Sequence, residues 1–148
     1  MKTAIIYYSK HQGNTLKLLK EIASKNDVCL IDATKGEKVD FSAYDAIGFA
    51  SGIYYSKFHK MVENYAKEVP PETKEFFIYT CGATKKGYTD DMMAIAKEKH
   101  ARVLGVYGCC GLDKFGPFKL IGGISKGHPS QDEIKGASDF YNKYVKNI

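Results

Sequence analysis

The residues best suited to chemistry lie near the start of the chain, where an apolar run breaks into a short polar loop. Residues 5–8 read as a strand, and the loop from Ser9 to Thr15 leads directly into a helical pattern. A helix N-terminus carries unpaired backbone N–H groups and a partial positive charge, so this junction suits a phosphate monoester rather than a metal. Gly13 lets the backbone turn closely. Ser9, Asn14 and Thr15 can add side-chain donors.

Two familiar phosphate-binding loops are excluded by spacing. A nucleoside-triphosphate loop needs Gly, four residues and then Gly-Lys-Ser/Thr, and a dinucleotide fingerprint needs Gly-x-Gly-x-x-Gly. Neither pattern occurs in this chain. What remains is Ser-x-x-x-Gly-Asn-Thr straight after an N-terminal strand.

This loop resembles the phosphate loop of the flavodoxin family, which binds flavin mononucleotide (FMN). Residues 47–55, Ile-Gly-Phe-Ala-Ser-Gly-Ile-Tyr-Tyr, resemble the family's third strand and aromatic loop, and residues 79–82, Tyr-Thr-Cys-Gly, resemble the end of its fourth strand. The resemblance covers essentially the whole chain. It implies a bound FMN and redox chemistry that the flavin performs.

The resemblance also implies which residues contact the cofactor. The first loop would hold the phosphate, the second would lie against the isoalloxazine ring, and the third would meet the far edge of that ring. Either Tyr54 or Tyr55 is expected to stack on the ring. Tyr88 is a candidate for the other face and equally a packing residue. The full predicted set is Ser9, Lys10, His11, Gln12, Gly13, Asn14, Thr15, Ser51, Gly52, Ile53, Tyr54, Tyr55, Ser56, Thr80, Cys81, Gly82 and Tyr88.

Two departures from the family pattern carry expectations of their own. The first loop is one residue longer than the common Ser/Thr-x-Thr-Gly-x-Thr and lacks its middle hydroxyl, so either His11 or Gln12 replaces that group or the loop bulges. Ser56 stands near the point where many members carry Gly, whose peptide flips toward the reduced flavin. Because a Ser makes that flip more costly, we expect a smaller population of one-electron-reduced flavin.

The rest of the chain predicts the elements that position these loops. Short apolar runs indicate strands covered on both faces, and helical spacing of apolar residues lies between them. Residues 130–133 form a Ser-x-x-Glu capping box that opens the last helix. The predicted strands are at about 2–8, 28–32, 44–50, 74–80 and 101–109.

These elements predict a three-layer α/β fold with a five-stranded parallel sheet, doubly wound because parallel neighbours need crossovers. The residues do not set the strand order, but the resemblance implies 2-1-3-4-5, with the ligand crevice between the first and third strands.

Composition bounds the remaining expectations. The 148 residues, 44% of them hydrophobic, suit one domain over 1–148. No apolar stretch approaches the ~20 residues of a membrane span, and no signal-peptide pattern is visible, so we expect a cytoplasmic protein. The four cysteines show no Cys-x-x-Cys pair, which favours reduced thiols and gives no metal site. No catalytic Ser/His/Asp or Cys/His set is visible. His59 reads as a solvated helix-end residue or, less readily, a proton-transfer group.

Charge indicates the kind of partner. The chain has 22 basic and 17 acidic residues, a net +5, with several lysines in the loops expected at the flavin edge. A negatively charged partner is expected, either an acidic ferredoxin-like redox protein or an anionic small molecule; a scattered solvated surface is the alternative. No nucleic-acid motif accompanies the charge. These lysines are Lys57, Lys60, Lys85, Lys86, Lys114, Lys119 and Lys126.

Three functions stay open at this point. An FMN-binding electron-transfer protein is favoured over a small FMN-dependent oxidoreductase acting on a quinone-like or porphyrin-like substrate, and over a flavodoxin-fold module without flavin. The connection at 111–129 is unusually long and apolar, and would be a lid, a wall of a substrate pocket or a dimer contact. Monomer and homodimer both remain possible.

Overall fold

The structure is a computed structural model that describes residues 1–9, 13–83, 85–110 and 128–148. The contacts predicted for Lys10, His11 and Gln12, and those predicted for 111–127, lie outside the described residues. Its strands are β1 Thr3–Tyr8, β2 Val28–Asp32, β3 Ala46–Tyr54, β4 Lys57–Phe58, β5 Lys74–Cys81 and β6 Arg102–Cys110. Its α-helices are α1 Asn14–Lys25, α2 Lys60–Glu68, α3 Asp90–Glu98 and α4 Gln131–Tyr144.

Five strands form one parallel sheet in the order β2-β1-β3-β5-β6. The predicted order 2-1-3-4-5 is confirmed, since β4 is a two-residue strand that pairs only with β3. The chain leaves β1 toward one side of the sheet and β3 toward the other, so the strand order reverses between them. Tyr8 pairs with Ser51 at their carboxyl ends, and Gly52 pairs with Thr80 of β5. The three predicted ligand segments therefore meet at one edge.

Helices cover both faces of the sheet, as the continuous apolar strands predict. On one face α1 and α4 bury Leu18, Leu19 and Tyr141 against the strands. On the other face α2 and α3 bury Val62 and Met92. The predicted capping box is also present, because the Ser130 hydroxyl accepts from the Glu133 N–H while the Glu133 carboxylate accepts from the Ser130 N–H.

The third strand is longer than predicted. The sequence indicated an end near residue 50 and a loop beyond it, whereas β3 continues to Tyr54 and turns back into β4. Pairing of Ile53 with Phe58 and of Tyr54 with Lys57 stabilises this extension, and burial of the Phe58 ring adds to it. Within the described ranges, no helix is long and apolar enough to cross a membrane.

Candidate functional site

The start of α1 is arranged to hold an anion. Gly13 precedes the helix with φ +65°, and a Cβ built on it would meet none of the described residues within 4 Å, so its backbone conformation requires glycine. The Ser9 hydroxyl accepts the Leu16 N–H at 3.0 Å and caps the helix from outside the turn. The first turn carries no acidic side chain. The unpaired amides at the start of α1 are thus not neutralised by an acidic side chain of the same turn and can attract an anion.

The two residues that open α1 are buried, and one of them reaches the next segment of the site. Asn14 is 5% exposed and Thr15 is 1% exposed. The Thr15 hydroxyl lies 2.8 Å from the Thr80 hydroxyl at the end of β5, with either group as donor. This hydrogen bond joins the predicted phosphate junction to the predicted ring-edge segment, so their geometry is coupled.

Ser51 fastens the end of β3 to the start of α2. Its buried hydroxyl donates to the Gly52 carbonyl at 2.5 Å and accepts the His59 N–H at 3.0 Å. Ser51 was predicted as a cofactor contact, and here it fixes the backbone on both sides of the aromatic segment. Ile53 lies partly buried against the core on the α2 face.

Three rings form an aromatic cluster where β1 and β3 end: Tyr8, Tyr54 and His59. Tyr8 and His59 stack with centroids 3.6 Å apart and planes 5° apart, and Tyr54 meets each of them edge-on at 5.4 Å. A Cβ on Gly52 would lie 3.2 Å from the Tyr54 hydroxyl, so glycine lets this ring lie close to the strand. The cluster gives the crevice a rigid aromatic wall. Sequence reasoning missed Tyr8, although it directly precedes Ser9.

His59 is more than a solvated helix-end residue. Its Nδ1 accepts the Met61 N–H at 3.1 Å and thereby caps α2, so a neutral ring carries its proton on Nε2. Burial lowers the pKa of His59, which favours the neutral ring at pH 7. His59 thus offers one N–H donor beside the crevice.

The structure separates the two adjacent tyrosines. Tyr54 joins the aromatic cluster, whereas Tyr55 is 88% exposed at the tip of the β3–β4 hairpin. Tyr55 and Ser56 form the turn, with φ +51° and +66°. Stacking of either tyrosine on a flavin stays a prediction, but only Tyr54 lies against the crevice wall.

The third segment follows β5. Cys81 is buried and its thiol donates to the Cys109 carbonyl at 3.6 Å. Gly82 is partly buried. Tyr88 is 7% exposed, donates its hydroxyl to the Ala83 carbonyl and packs edge-on against Tyr79. Tyr88 therefore occupies the packing position that the sequence left open as its alternative.

The first helix and the aromatic segment meet where the strand order of this doubly wound parallel sheet reverses, which is the position at which open α/β sheets bind ligands. The comparison with known families is more specific. The model of the flavodoxin domain matches residues 5–119, so the chain belongs to the flavodoxin family. The family predicted from the sequence is confirmed.

The matches to three similar proteins cover between 72% and 99% of this chain. An uncharacterized protein of Methanocaldococcus jannaschii is 34% identical over 99% of this chain and 100% of its own length. A solved flavodoxin from the domain Archaea superposes with a TM-score of 0.69 at 16% identity, covering 95% of this chain and 93% of its own. A flavoprotein from Lactobacillus acidophilus in complex with FMN gives 0.59 at 19% identity, covering 72% and 92%. These solved structures confirm the fold.

Proposed function

We propose that the protein binds FMN without a covalent bond and serves as an electron-transfer protein. The observation that carries the proposal is the start of α1, with Gly13 at φ +65°, at the carboxyl edge where the connections after β1 and β3 leave toward opposite faces of the sheet. Ligands of open α/β sheets bind at this position. The Lactobacillus acidophilus flavoprotein, which shares this fold, was solved with FMN.

Each part of the site has its own task in this proposal. The α1 amides, Ser9 and Gly13 would hold the phosphate. Tyr54, held in place by Tyr8 and His59, would pack against the isoalloxazine ring and limit its access to water. The Thr15–Thr80 hydrogen bond keeps the phosphate junction and the ring-edge segment at a fixed separation. Bound flavin supplies the electron chemistry, and the chain positions it.

Binding of FMN can be tested with a pair of matched glycine variants. Gly13 and Gly36 have nearly equal φ angles, +65° and +61°, and in both cases a Cβ would meet nothing within 4 Å in the part of the chain that the structure describes. Gly13→Ala and Gly36→Ala should therefore cost similar stability. Only Gly13→Ala places a methyl where the phosphate would lie, so FMN affinity should fall at least about tenfold in that variant alone, a loss of about 1.4 kcal/mol.

FMN affinity is measured by quenching of flavin fluorescence, and stability by urea denaturation without FMN. Equal affinity of the two variants would reject the phosphate assignment. Failure of the unaltered protein to bind FMN would reject the proposed function itself.

A small FMN-dependent oxidoreductase for a quinone-like or porphyrin-like substrate is the second candidate, and His59 favours it. A neutral imidazole with its proton on Nε2 beside the crevice is placed to move a proton during two-electron reduction. Anaerobic dithionite titration distinguishes the candidates, since an electron carrier should pass through a one-electron-reduced flavin and the oxidoreductase should bleach in one step. We propose the cytoplasm as the setting, where thiols such as Cys81 stay reduced.

A further inference from the structure

The turn between β3 and β4 is held in a strained conformation. Tyr54 pairs with Lys57, which leaves a two-residue turn in which both Tyr55 and Ser56 have positive φ. Turns of this geometry favour Asn-Gly, because a side chain in the left-handed region costs about 1–2 kcal/mol. Strain of this kind persists where the surroundings fix it, and it concentrates at functional sites. Here it fixes the position of an aromatic side chain.

That side chain is Tyr55, and it points away from the protein. It is 88% exposed, the most exposed of the large hydrophobic side chains in the described structure, while its neighbour Tyr54 packs into the aromatic cluster. Tyrosine provides a large contact area for a small loss of conformational entropy, and it is frequent at the centres of protein interfaces. A rigid turn that presents Tyr55 beside the crevice suits contact with another molecule.

Exposed lysines lie next to this tip in the chain and in the loop after β5. Lys57 and Lys60 flank it on β4 and α2, and Lys85 and Lys86 lie in the loop that follows the ring-edge segment; all four are exposed. Among the described residues, the acidic neighbours of these lysines are Glu63 on α2 and two aspartates on α3. Asp90 and Asp91 open α3, where they compensate its dipole.

The carboxyl group of Glu63 shows that two of these lysines, Lys57 and Lys60, share one neighbourhood. Burial raises its pKa and Asp91 raises it further, whereas Lys57, Lys67 and Lys60 all act to lower it. Three ammonium groups therefore lie close enough to act on one carboxylate. Positive charge concentrated around an exposed aromatic side chain is complementary to an acidic protein surface.

We propose that Tyr55 with Lys57, Lys60, Lys85 and Lys86, here termed the basic tip, is the docking surface for an acidic one-electron redox protein. The inference rests on the proposed FMN function, because the basic tip borders the flavin crevice. In each encounter the iron–sulfur cluster of a reduced partner loses one electron and the flavin gains one, with no bond made or broken between the proteins. The lysines would raise the encounter rate, and Tyr55 would fix the docked geometry.

The charge component is tested with small redox probes. The FMN-loaded, dithionite-reduced protein is mixed by stopped flow with ferricyanide, an anion, or with hexaammineruthenium(III), a cation, each of which accepts one electron per molecule. The variant Lys57→Gln/Lys60→Gln is compared with the control variant Lys97→Gln/Lys146→Gln. The control removes two exposed lysines, Lys97 in the last turn of α3 and Lys146 just after the end of α4. In the first variant only, the rate of oxidation by ferricyanide should fall roughly tenfold at low salt, and the rate of oxidation by hexaammineruthenium(III) should rise.

The docking component is tested with proteins. Reduced plant-type ferredoxin serves as the acidic donor, and reduction of the bound flavin is followed at saturating FMN. Tyr55→Ala and Lys57→Gln/Lys60→Gln should each lower the second-order rate at least fivefold or so, and Lys97→Gln/Lys146→Gln should not. Binding of ferredoxin to the FMN-free protein is measured by titration calorimetry in the same variants.

The outcomes separate the two proposals. If the protein binds no FMN, the proposed function fails, and ferredoxin binding to the FMN-free protein still tests the basic tip. Two results with the FMN-loaded protein would show that the basic tip is not the docking surface. One is an equal effect of Lys57→Gln/Lys60→Gln and Lys97→Gln/Lys146→Gln on the rate of reduction by ferredoxin, and the other is an unchanged rate in Tyr55→Ala.

Discussion

The hydroxyl groups of Thr15 and Thr80 lie 2.8 Å apart, and both side chains are buried. This contact ties the first turn of α1 to the end of β5 beneath the proposed ligand. A Thr80→Val substitution keeps the shape but leaves the Thr15 hydroxyl buried without this hydrogen bond. The free energy of unfolding should fall by about 1–3 kcal/mol, measured as a shift of the urea midpoint, and FMN affinity should fall with it.

The double variant Thr15→Val/Thr80→Val is the control for this prediction. It removes both hydroxyls, so no buried hydroxyl is left over from the pair and part of the stability should return. Strictly additive losses would show that the two hydroxyls are not coupled.

Stability should depend on pH through Glu75. This β5 carboxyl group is 1% exposed, and within the described part of the chain its Oε1 has no hydrogen-bond partner. Burial raises the pKa of Glu75 to about 7, against the smaller opposing effect of Lys99. A raised carboxyl pKa favours the protonated form in the folded state, so the stabilisation is complete below the unfolded pKa and is lost as pH rises through about 7.

The free energy of unfolding should therefore decrease by about 3 kcal/mol between pH 4.5 and 7.5 because of this residue. Glu75→Gln should flatten that decrease, whereas Glu98→Gln, on an exposed position of α3, should leave it unchanged. Urea denaturation at several pH values provides the measurement. An unchanged pH profile in Glu75→Gln would show that Glu75 titrates normally.

The β3–β4 turn should become more stable with glycine. Ser56→Gly removes the side chain from a residue at φ +66° and should raise the free energy of unfolding by about 1 kcal/mol. Ser56→Ala keeps the strain and should change stability by less than about 0.5 kcal/mol. In the FMN-loaded protein, Ser56→Gly should also increase the fraction of one-electron-reduced flavin during dithionite titration. Equal stability of the two variants would contradict the strained turn.

His59 should have two separable roles, as the cap of α2 and as a ring stacked on Tyr8. His59→Asn retains a cap acceptor but loses the stacked ring, and His59→Ala loses both. The alanine variant should be less stable than the asparagine variant by about 1 kcal/mol, the usual contribution of an N-cap. Thermal unfolding of the FMN-free proteins would show this difference, and identical midpoints would exclude the capping role.

The strands and helices of this protein follow largely from signals that are local in the sequence, whereas the strand order was implied by the family resemblance. The apolar run before Ser9 and the capping box at Ser130 each depend on neighbouring residues, and the structure has both where they were expected. The hairpin gave no such signal, because Tyr-Ser lacks the Asn or Gly that normally marks a two-residue turn.

Other features depend on contacts between distant residues. The stacking of Tyr8 on His59 requires β1 and β3 to be paired and the hairpin to return the chain to the same edge. Glu75 reads in the sequence as an ordinary charged residue at a strand start, and its burial results from packing among neighbouring strands and helices. No spacing rule within one segment predicts either arrangement.

The interior position of β1 has a consequence for biosynthesis. During synthesis, β1, α1 and β2 are made before β3, although β3 is the second neighbour of β1 in the sheet. Thr80, the hydrogen-bond partner of Thr15, follows 65 residues after Thr15. The nascent chain therefore carries the residues of the proposed phosphate junction long before the opposite wall of the crevice exists. Cofactor loading should wait until β5 has left the ribosome, so a ribosome stalled before that point would display a chain that does not retain FMN.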